Sequence, residues 1–328
     1  MGIISNLTAL YLICIKSRKN VCEYRKLLLL FLISDLFYAI LQGALEPSII
    51  VSGDMFMIFA SGFFQNNVML SVYCGCVSMS FVIISFHFVF RALAMSNKSY
   101  VVSHLDWKKL SLICLIFLAV SGIWGGLTYT QFSYLPSYER LARNYFDSIN
   151  LTFPKDPARE LIIFQAHFER RLFISHTLSP RLDGSIAMNI LLTILFVEVL
   201  VGTFVFAVIV SCIYIMRCLS SVGRNSEAWK NHHRHLFVAL LVQFLIPLIL
   251  LYIPCTVFIL VPVFGISSSF TTPTWLLSGV YSIYPILDPL AIILLINDYR
   301  RALKEMGKTL ITKVNSLQHL KLPSSRSR

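Results

Sequence analysis

Charged residues are scarce in this sequence. Asp, Glu, Lys and Arg make up 13% of the 328 residues, while hydrophobic residues make up 56%. A soluble domain carries about 25% charged residues. A water-soluble fold cannot hide several separate runs of about 20 almost uncharged residues. The composition therefore excludes an ordinary soluble enzyme and predicts a protein whose apolar runs lie in a lipid bilayer.

The eight cysteines lack the spacing of a metal site or of a secreted disulfide framework. Almost all of them lie within or beside apolar runs, which is typical of buried thiols. The segment 131–185 has no cysteine, so no disulfide can tie it to the third apolar run. We expect neither a metal site nor a cofactor.

Seven apolar runs are separated by short polar segments. The first run would form a helix of about 22 Å, which is shorter than a hydrocarbon core of about 30 Å, so its outer part is expected to be missing. No run alternates like a strand, and lipid accepts only helices or closed barrels. We therefore predict an all-α bundle of seven transmembrane helices with a shortened first helix. The predicted spans are residues 1–15, 27–45, 68–90, 110–129, 186–215, 236–264 and 274–296.

The basic residues predict the orientation of the bundle. Of 28 Lys and Arg residues, 21 fall in alternate connectors and the tail, at 16–26, 91–109, 216–235 and 297–328. Connectors 46–66 and 265–273 contain none. Because cytoplasmic loops are enriched in Lys and Arg, we expect the N-terminus outside and the C-terminus in the cytoplasm. The net charge of +12 is then a topology signal, and we expect no nucleic-acid partner.

The long loop 131–185 carries the glycosylation sequence Asn150-Leu151-Thr152 on the predicted outer side. Two similar sequences are excluded by the predicted topology. Asn6 begins one inside the first span, and Asn97 begins the other on the cytoplasmic side. We therefore predict Asn150 as the glycosylated residue.

The tail 297–328 is predicted to begin with an amphipathic helix along the inner leaflet. Apolar side chains recur there at helical spacing, and basic side chains take the other faces. Anionic lipid would favour such a helix, and the alternative is a frayed basic tail. The apolar residues are Tyr299, Ala302, Leu303, Met306, Leu310, Ile311 and Val314, and the basic ones are Arg300, Arg301, Lys304, Lys308 and Lys313.

Four stretches together resemble the nematode seven-transmembrane chemoreceptors of the Str type, and the resemblance covers nearly the whole chain. Any one of them is a weak signal, but their order and spacing match as well. In chain order they are Lys16-Ser17-Arg18-Lys19 with Tyr24-Arg25-Lys26; His87-Phe88-Val89-Phe90-Arg91; Gln243-Phe244-Leu245-Ile246-Pro247 with Tyr252-Ile253-Pro254; and Leu287-Asp288-Pro289-Leu290 with Asp298-Tyr299-Arg300.

The resemblance implies a G-protein-coupled sensory receptor in the plasma membrane of chemosensory neurons, in their cilia. Its partners would be a small environmental molecule such as an odorant, a heterotrimeric G protein and the lipid bilayer. The shortened first span departs from the family pattern and puts the efficiency of membrane insertion in doubt.

Four ionisable residues lie within the spans, namely Asp35, His87, Glu198 and Asp288. Each would cost about 3 kcal/mol or more at the bilayer centre, so each requires a reason. Asp35 and Asp288 both lie about 12 Å from the cytoplasmic end of their spans. If they meet, the carboxyl groups should share a proton or capture a cation. We predict a polar hub with Ser34, Ser78 or Ser80 nearby, and the alternative is that local backbone satisfies each acid separately.

Arg91 follows the third span, where its guanidinium can hold the inner ends of other helices or meet a G protein. The alternative is an interfacial arginine that reaches lipid phosphate. One turn earlier, His87 is expected to make a hydrogen bond between helices rather than to act as a proton switch.

Prolines interrupt the last two spans. Each one removes a backbone donor and favours a kink. Kinked helices give a bundle two alternative packings, and a ligand that prefers one of them shifts the population. Proline is also frequent in transmembrane helices without such a role. The predicted switch residues are Pro247 and Pro254 in the sixth span, and Pro289 with its neighbour Pro285 in the seventh.

A ligand pocket is expected to open outward between the third, fifth, sixth and seventh helices. Glu198 is the sharpest candidate because an acid there could meet an amine or donate a hydrogen bond, although a contact between helices explains it equally well. The candidate lining residues are Val72, Cys76, Asn189, Thr193, Glu198, Thr256 and Tyr281.

Two other function classes remain open at this point. A transporter or channel also uses buried acids, although we find no internal repeat in the sequence. A membrane enzyme would need a site such as the cluster His232, His233 and His235, whose spacing is poor for a metal. A solvated basic loop explains that cluster better.

Overall fold

The computed structural model describes residues 1–16, 22–52, 55–96, 106–132, 184–220, 227–257, 274–296, 299–309 and 312. Within the loop 131–185 it also describes residues 143–144, 146–147, 153–154, 156 and 161–165.

The seven predicted spans are helices in the described part of the chain. Six of them are long and apolar enough to cross a bilayer, while the helix at residues 2–15 is shorter. Helix α6 continues past Pro247 as a π-helical turn at Leu248–Tyr252 and is described to residue 257. The helices are α1 (Gly2–Lys16), α2 (Cys22–Leu45), α3 (Asn67–Met95), α4 (Trp107–Gln131), α5 (Gly184–Ser220), α6 (Glu227–Pro247) and α7 (Thr274–Leu295).

A further helix, α8, covers residues 299–309. Tyr299 and Ala302 are buried against the bundle and Met306 is half-buried, while the basic residues Arg301 and Lys304 are exposed. One face of α8 is therefore buried and the basic residues lie on its exposed side, where Leu303 is also 37% exposed. Its position along the inner leaflet stays a prediction. Leu310, Ile311, Lys313 and Val314 lie outside the described residues.

A three-stranded antiparallel sheet lies at the other end of the bundle and was not predicted from the sequence. Its strands β1 (Pro47–Ser52), β2 (Met55–Ala60) and β3 (Leu161–Gln165) pair in the order β1-β2-β3. The backbone amide of Ile49 donates to Ser278 Oγ of α7 at 3.3 Å. The sheet is therefore attached to a membrane helix rather than standing apart from the bundle.

Two apolar clusters fill the space between the helices. At the α8 end, Phe88 of α3 packs edge-on against Phe237 and Phe244 of α6. At the sheet end, Tyr73 and Tyr281 belong to a second cluster that includes residues of β1 and β2. Helix α3 contributes to both clusters, so it forms the centre of the bundle.

Candidate functional site

Two carboxyl groups meet in the interior, between α2 and α7. Asp35 is 1% exposed and Asp288 is 0% exposed, and their side chains are in contact. Asp35 Oδ2 and both carboxyl oxygens of Asp288 accept no hydrogen bond from the described residues. The contact thus joins two groups that are both acceptors when ionised.

Tyr284 connects the acid pair to α3. Its hydroxyl donates to Asp35 Oδ1 at 2.8 Å and lies 2.6 Å from Ser80 Oγ. Ser80, one of the three serines considered for the hub, is therefore part of it. Ser34 and Ser78 instead donate to backbone carbonyls three residues earlier in their own helices, those of Phe31 and Gly75.

A chain of polar side chains extends from the hub region towards the sheet. The ring of Tyr38 packs edge-on against Tyr284, and its hydroxyl lies 2.8 Å from that of Tyr73. Tyr73 donates to Gln42 Oε1 at 2.7 Å, and Gln42 Nε2 donates to Ser282 Oγ at 2.9 Å. These contacts join α2, α3 and α7 through the sheet end of the bundle.

Arg91 and His233 connect α3 to α6 near the α8 end. Arg91 Nη2 lies 2.9 Å from His233 Nδ1, and the arginine side chain is buried. Because a guanidinium can only donate, His233 accepts this hydrogen bond through an unprotonated Nδ1. His87, one turn before Arg91, is buried against the backbone of Leu27 and the ring of Phe31 on α2.

Glu198 connects α5 to α6. Tyr252 donates to Glu198 Oε2 at 2.8 Å, and Thr256 Oγ1 donates to Glu198 Oε1 at 3.1 Å. All three side chains are half-buried. The acid therefore makes the contact between helices that the sequence left as an alternative to a ligand contact.

Two prolines flank an irregular turn of α6. Pro247 precedes the π-helical turn of α6 and Pro254 follows it, and the amide of Ile253 donates to the carbonyl of Leu248, five residues earlier. Tyr281 of α7 donates to the carbonyl of Leu251 in this turn at 3.3 Å. Because Pro254 has no amide hydrogen, normal α-helical bonding cannot continue through it.

The whole chain up to residue 304 matches one family model, described as the serpentine type 7TM GPCR chemoreceptor Str. The chain belongs to the Str family of serpentine chemoreceptors. The resemblance predicted from the four motifs is therefore confirmed.

The chain is also similar to curated nematode proteins. It is 25% identical over 303 residues to the serpentine receptor class r-10 of Caenorhabditis briggsae, which covers 90% of this chain and 84% of that protein. The Caenorhabditis elegans protein of the same name is 25% identical over 291 residues, which covers 87% and 81%. The Caenorhabditis elegans G-protein coupled receptor str-217 is 24% identical over 321 residues, which covers 93% and 86%.

The described candidate lining residues lie at several different places in the bundle. Cys76 and Tyr281 lie in the buried cluster at the sheet end, while Val72 is 40% exposed on the surface of α3. Thr193 lines a cleft of about 480 Å³ between α4 and α5, together with Phe196 and Gln131. Glu198 and Thr256 are joined by the hydrogen bond between α5 and α6 described above.

Several of the predicted residues fall outside what the structure describes. Asn150 lies in an undescribed part of the loop, and the side chains of Asn189 and His232 are not described. Asn6 has no exposed surface, so that sequence is not accessible for glycosylation. Among the described residues, no cluster of three or more His, Cys, Asp or Glu side chains could hold a metal ion.

The sequence alone did not predict the roles of Tyr284, Tyr252 and Gln42 or the contact made by His233. Gln42 could have been found, because an amide side chain inside an apolar run requires a partner. The tyrosines carry no such signal, because their rings are compatible with both apolar and polar surroundings.

Proposed function

We propose that this chain is a G-protein-coupled chemosensory receptor, of an olfactory type, that binds a small environmental molecule and signals through a shift in helix packing. Membership of the Str family supports the receptor function. The relative str-217 is named as a G-protein coupled receptor, which supports a heterotrimeric G protein as the partner. The proposed location of this multi-pass membrane protein is the cilium of a sensory neuron.

The way α6 is held supports the proposed packing shift and is the observation that carries it. Arg91 holds α6 near the α8 end, and Glu198 holds it through Tyr252 and Thr256. The π-helical turn lies between the His233 contact and the Thr256 contact along α6. A helix held at two levels, with a non-α turn between them, can exchange one set of contacts without unfolding.

In this proposal the ligand enters from the sheet end and favours a packing in which the contacts of α6 change. Cys76, Tyr281, Glu198 and Thr256 are the described candidate residues nearest to the π-helical turn or to the cluster at the sheet end. Loss of the Arg91–His233 hydrogen bond at the proposed cytoplasmic end would free the guanidinium for the G protein.

The test is expression in reporter cells that carry a promiscuous G protein, challenged with volatile and water-soluble compounds. We expect the receptor to respond to at least one compound and Arg91→Ala to abolish that response at equal surface expression. We expect His233→Ala to raise signalling without ligand by about 2- to 10-fold, the equivalent of one hydrogen bond.

His235→Ala is the matched control, because this histidine lies two residues further along α6 and is exposed. Its signalling without ligand should equal that of the unmodified receptor. A correctly inserted receptor that answers no compound, with unchanged signalling in His233→Ala, would contradict the proposal. Cation flux through the purified protein in liposomes would instead support a transporter or channel.

A further inference from the structure

The acid pair receives few hydrogen bonds from the described residues. Asp35 and Asp288 are buried and in contact, yet only one of their four carboxyl oxygens, Asp35 Oδ1, accepts a hydrogen bond from the described residues. Two ionised carboxylates in contact would repel each other strongly in a medium of low dielectric constant. A proton or a small cation is therefore required between them.

The hydroxyl groups around the pair show which carboxyl carries the negative charge. Tyr284 has a single phenolic hydrogen and donates it to Asp35 Oδ1. Its oxygen must then accept from Ser80 Oγ, which lies 2.6 Å away. The Ser80 hydroxyl thus donates to Tyr284, and the Tyr284 hydroxyl donates to Asp35. None of the described residues donates to Asp288.

We propose that Asp288 holds one proton and donates it to Asp35, which is the ionised member of the pair. The proton converts an acceptor–acceptor contact into a charge-assisted hydrogen bond between α7 and α2. The carboxylate of Asp35 then accepts two hydrogen bonds, from Tyr284 and from Asp288. A packing shift that separates α7 from α2 has to move this proton or leave a carboxylate unpaired. The proposal concerns the receptor without ligand and does not depend on which G protein it activates.

The first test is infrared spectroscopy of the purified full-length protein in lipid nanodiscs. We expect the carbonyl stretch of a buried, protonated carboxyl group in the unmodified protein and its loss in Asp288→Asn. Glu198→Gln is the control, because Glu198 lies on α5 and accepts hydrogen bonds from Tyr252 and Thr256 instead of contacting the acid pair. The band should persist in that variant. The proposal would be overturned if the unmodified protein showed no such band, or if the band persisted in Asp288→Asn.

The second test compares thermal stability among three variants. Asn at position 288 keeps a donor towards Asp35, so Asp288→Asn should melt near the temperature of the unmodified protein. Asp288→Leu has a similar size but no donor, and should melt lower. Asp35→Asn should also melt lower, because the hydrogen bonds from Tyr284 and Asp288 then go to a neutral amide oxygen instead of a carboxylate and are weaker. If Asp35→Asn keeps the melting temperature of the unmodified protein and Asp288→Asn lowers it, Asp35 carries the proton and the proposal is overturned.

A small cation is the competing occupant and can be distinguished from a proton. Melting temperatures are measured in sodium and in a bulky organic cation at equal ionic strength and pH. A proton predicts equal temperatures in both salts. Saturable stabilisation by sodium that disappears in Asp288→Asn would show that a cation occupies the pair instead. If Asp35→Asn does not fold, the infrared band and the comparison of Asp288→Asn with Asp288→Leu still test whether Asp288 carries the proton.

Discussion

The buried side chain of Asn6 makes a hydrogen bond to the backbone of another helix. Its amide donates to the carbonyl of Pro285 at 3.0 Å and to that of Gly2 at 2.9 Å. The carbonyl of Pro285 lies four residues before Pro289, which has no amide hydrogen to offer it. A buried carbonyl without a donor is costly, and in lipid no water can replace the donor. Asn6 therefore supplies the bond that α7 lacks and ties α1 to α7.

Asn6→Leu should destabilise the protein by about 1 to 3 kcal/mol, because it leaves the Pro285 carbonyl with only the long 3.5 Å hydrogen bond from Ser5 Oγ. The measurement is thermal unfolding of the purified protein in nanodiscs. Thr8→Val is the control on the same helix, because the hydroxyl of Thr8 donates to Ile4 within α1. Equal melting temperatures for both variants would mean that the Asn6 bond contributes no stability.

At the scale of the elements, α3 and α4 approach each other through their glycines. A Cβ atom at Gly125 would lie 2.9 Å from the carbonyl oxygen of Ser71, and one at Gly75 would lie 2.7 Å from that of Ser121. Both distances are shorter than a carbon–oxygen contact allows, so the backbones approach this closely only because a side chain is missing. Gly126 lies next in the sequence, but no described residue outside its own stretch of helix comes within 4 Å of such a Cβ.

Gly125→Ala and Gly126→Ala therefore make the same chemical change with opposite expected results. Gly125→Ala should lose about 1 to 3 kcal/mol, because the added methyl group forces the helices apart. Gly126→Ala should be neutral or gain up to about 1 kcal/mol from helix propensity. Melting temperatures of the two purified variants test this. A loss of stability in Gly126→Ala alone would contradict the close α3–α4 approach.

At the scale of the whole molecule, the two ends of the bundle are built differently. The sheet is held against α7 at one end, and the amphipathic helix α8 packs at the other. After β2 the chain returns close to α2, where a Cβ at Gly62 would lie 2.5 Å from the carbonyl of Ala44. The sheet end thus lies close against the helices, while exposed basic side chains cover α8.

The predicted orientation can be tested by cysteine labelling of intact cells. Phe63 is 90% exposed at the sheet end, so Phe63→Cys should react with a membrane-impermeant thiol reagent. Ser220 ends α5 at the opposite end and is exposed, so Ser220→Cys should react only after the cells are permeabilised. The unsubstituted chain measures the background from native cysteines. Labelling of Ser220→Cys in intact cells would show that the topology is the opposite of the predicted one.

The helices were predictable because lipid imposes a simple rule. A run of about 20 apolar residues has to form a helix to satisfy its own backbone, so composition and spacing were sufficient. The sheet did not follow from such a rule, since β1 and β2 lie outside the apolar runs and β3 is more than 100 residues away in sequence. Strand pairing at that separation depends on tertiary contacts.

Hydrophobicity and local motifs are properties of neighbouring residues, so they were enough to predict a bundle of seven helices and a resemblance to the Str family. The sequence also placed Asp35 and Asp288 at a similar depth. Only the tertiary structure decided that their carboxyl groups touch, that Tyr284 donates to Asp35, and that Arg91 meets His233. Rotation of each helix about its axis decides such contacts, and packing against the other helices sets that rotation.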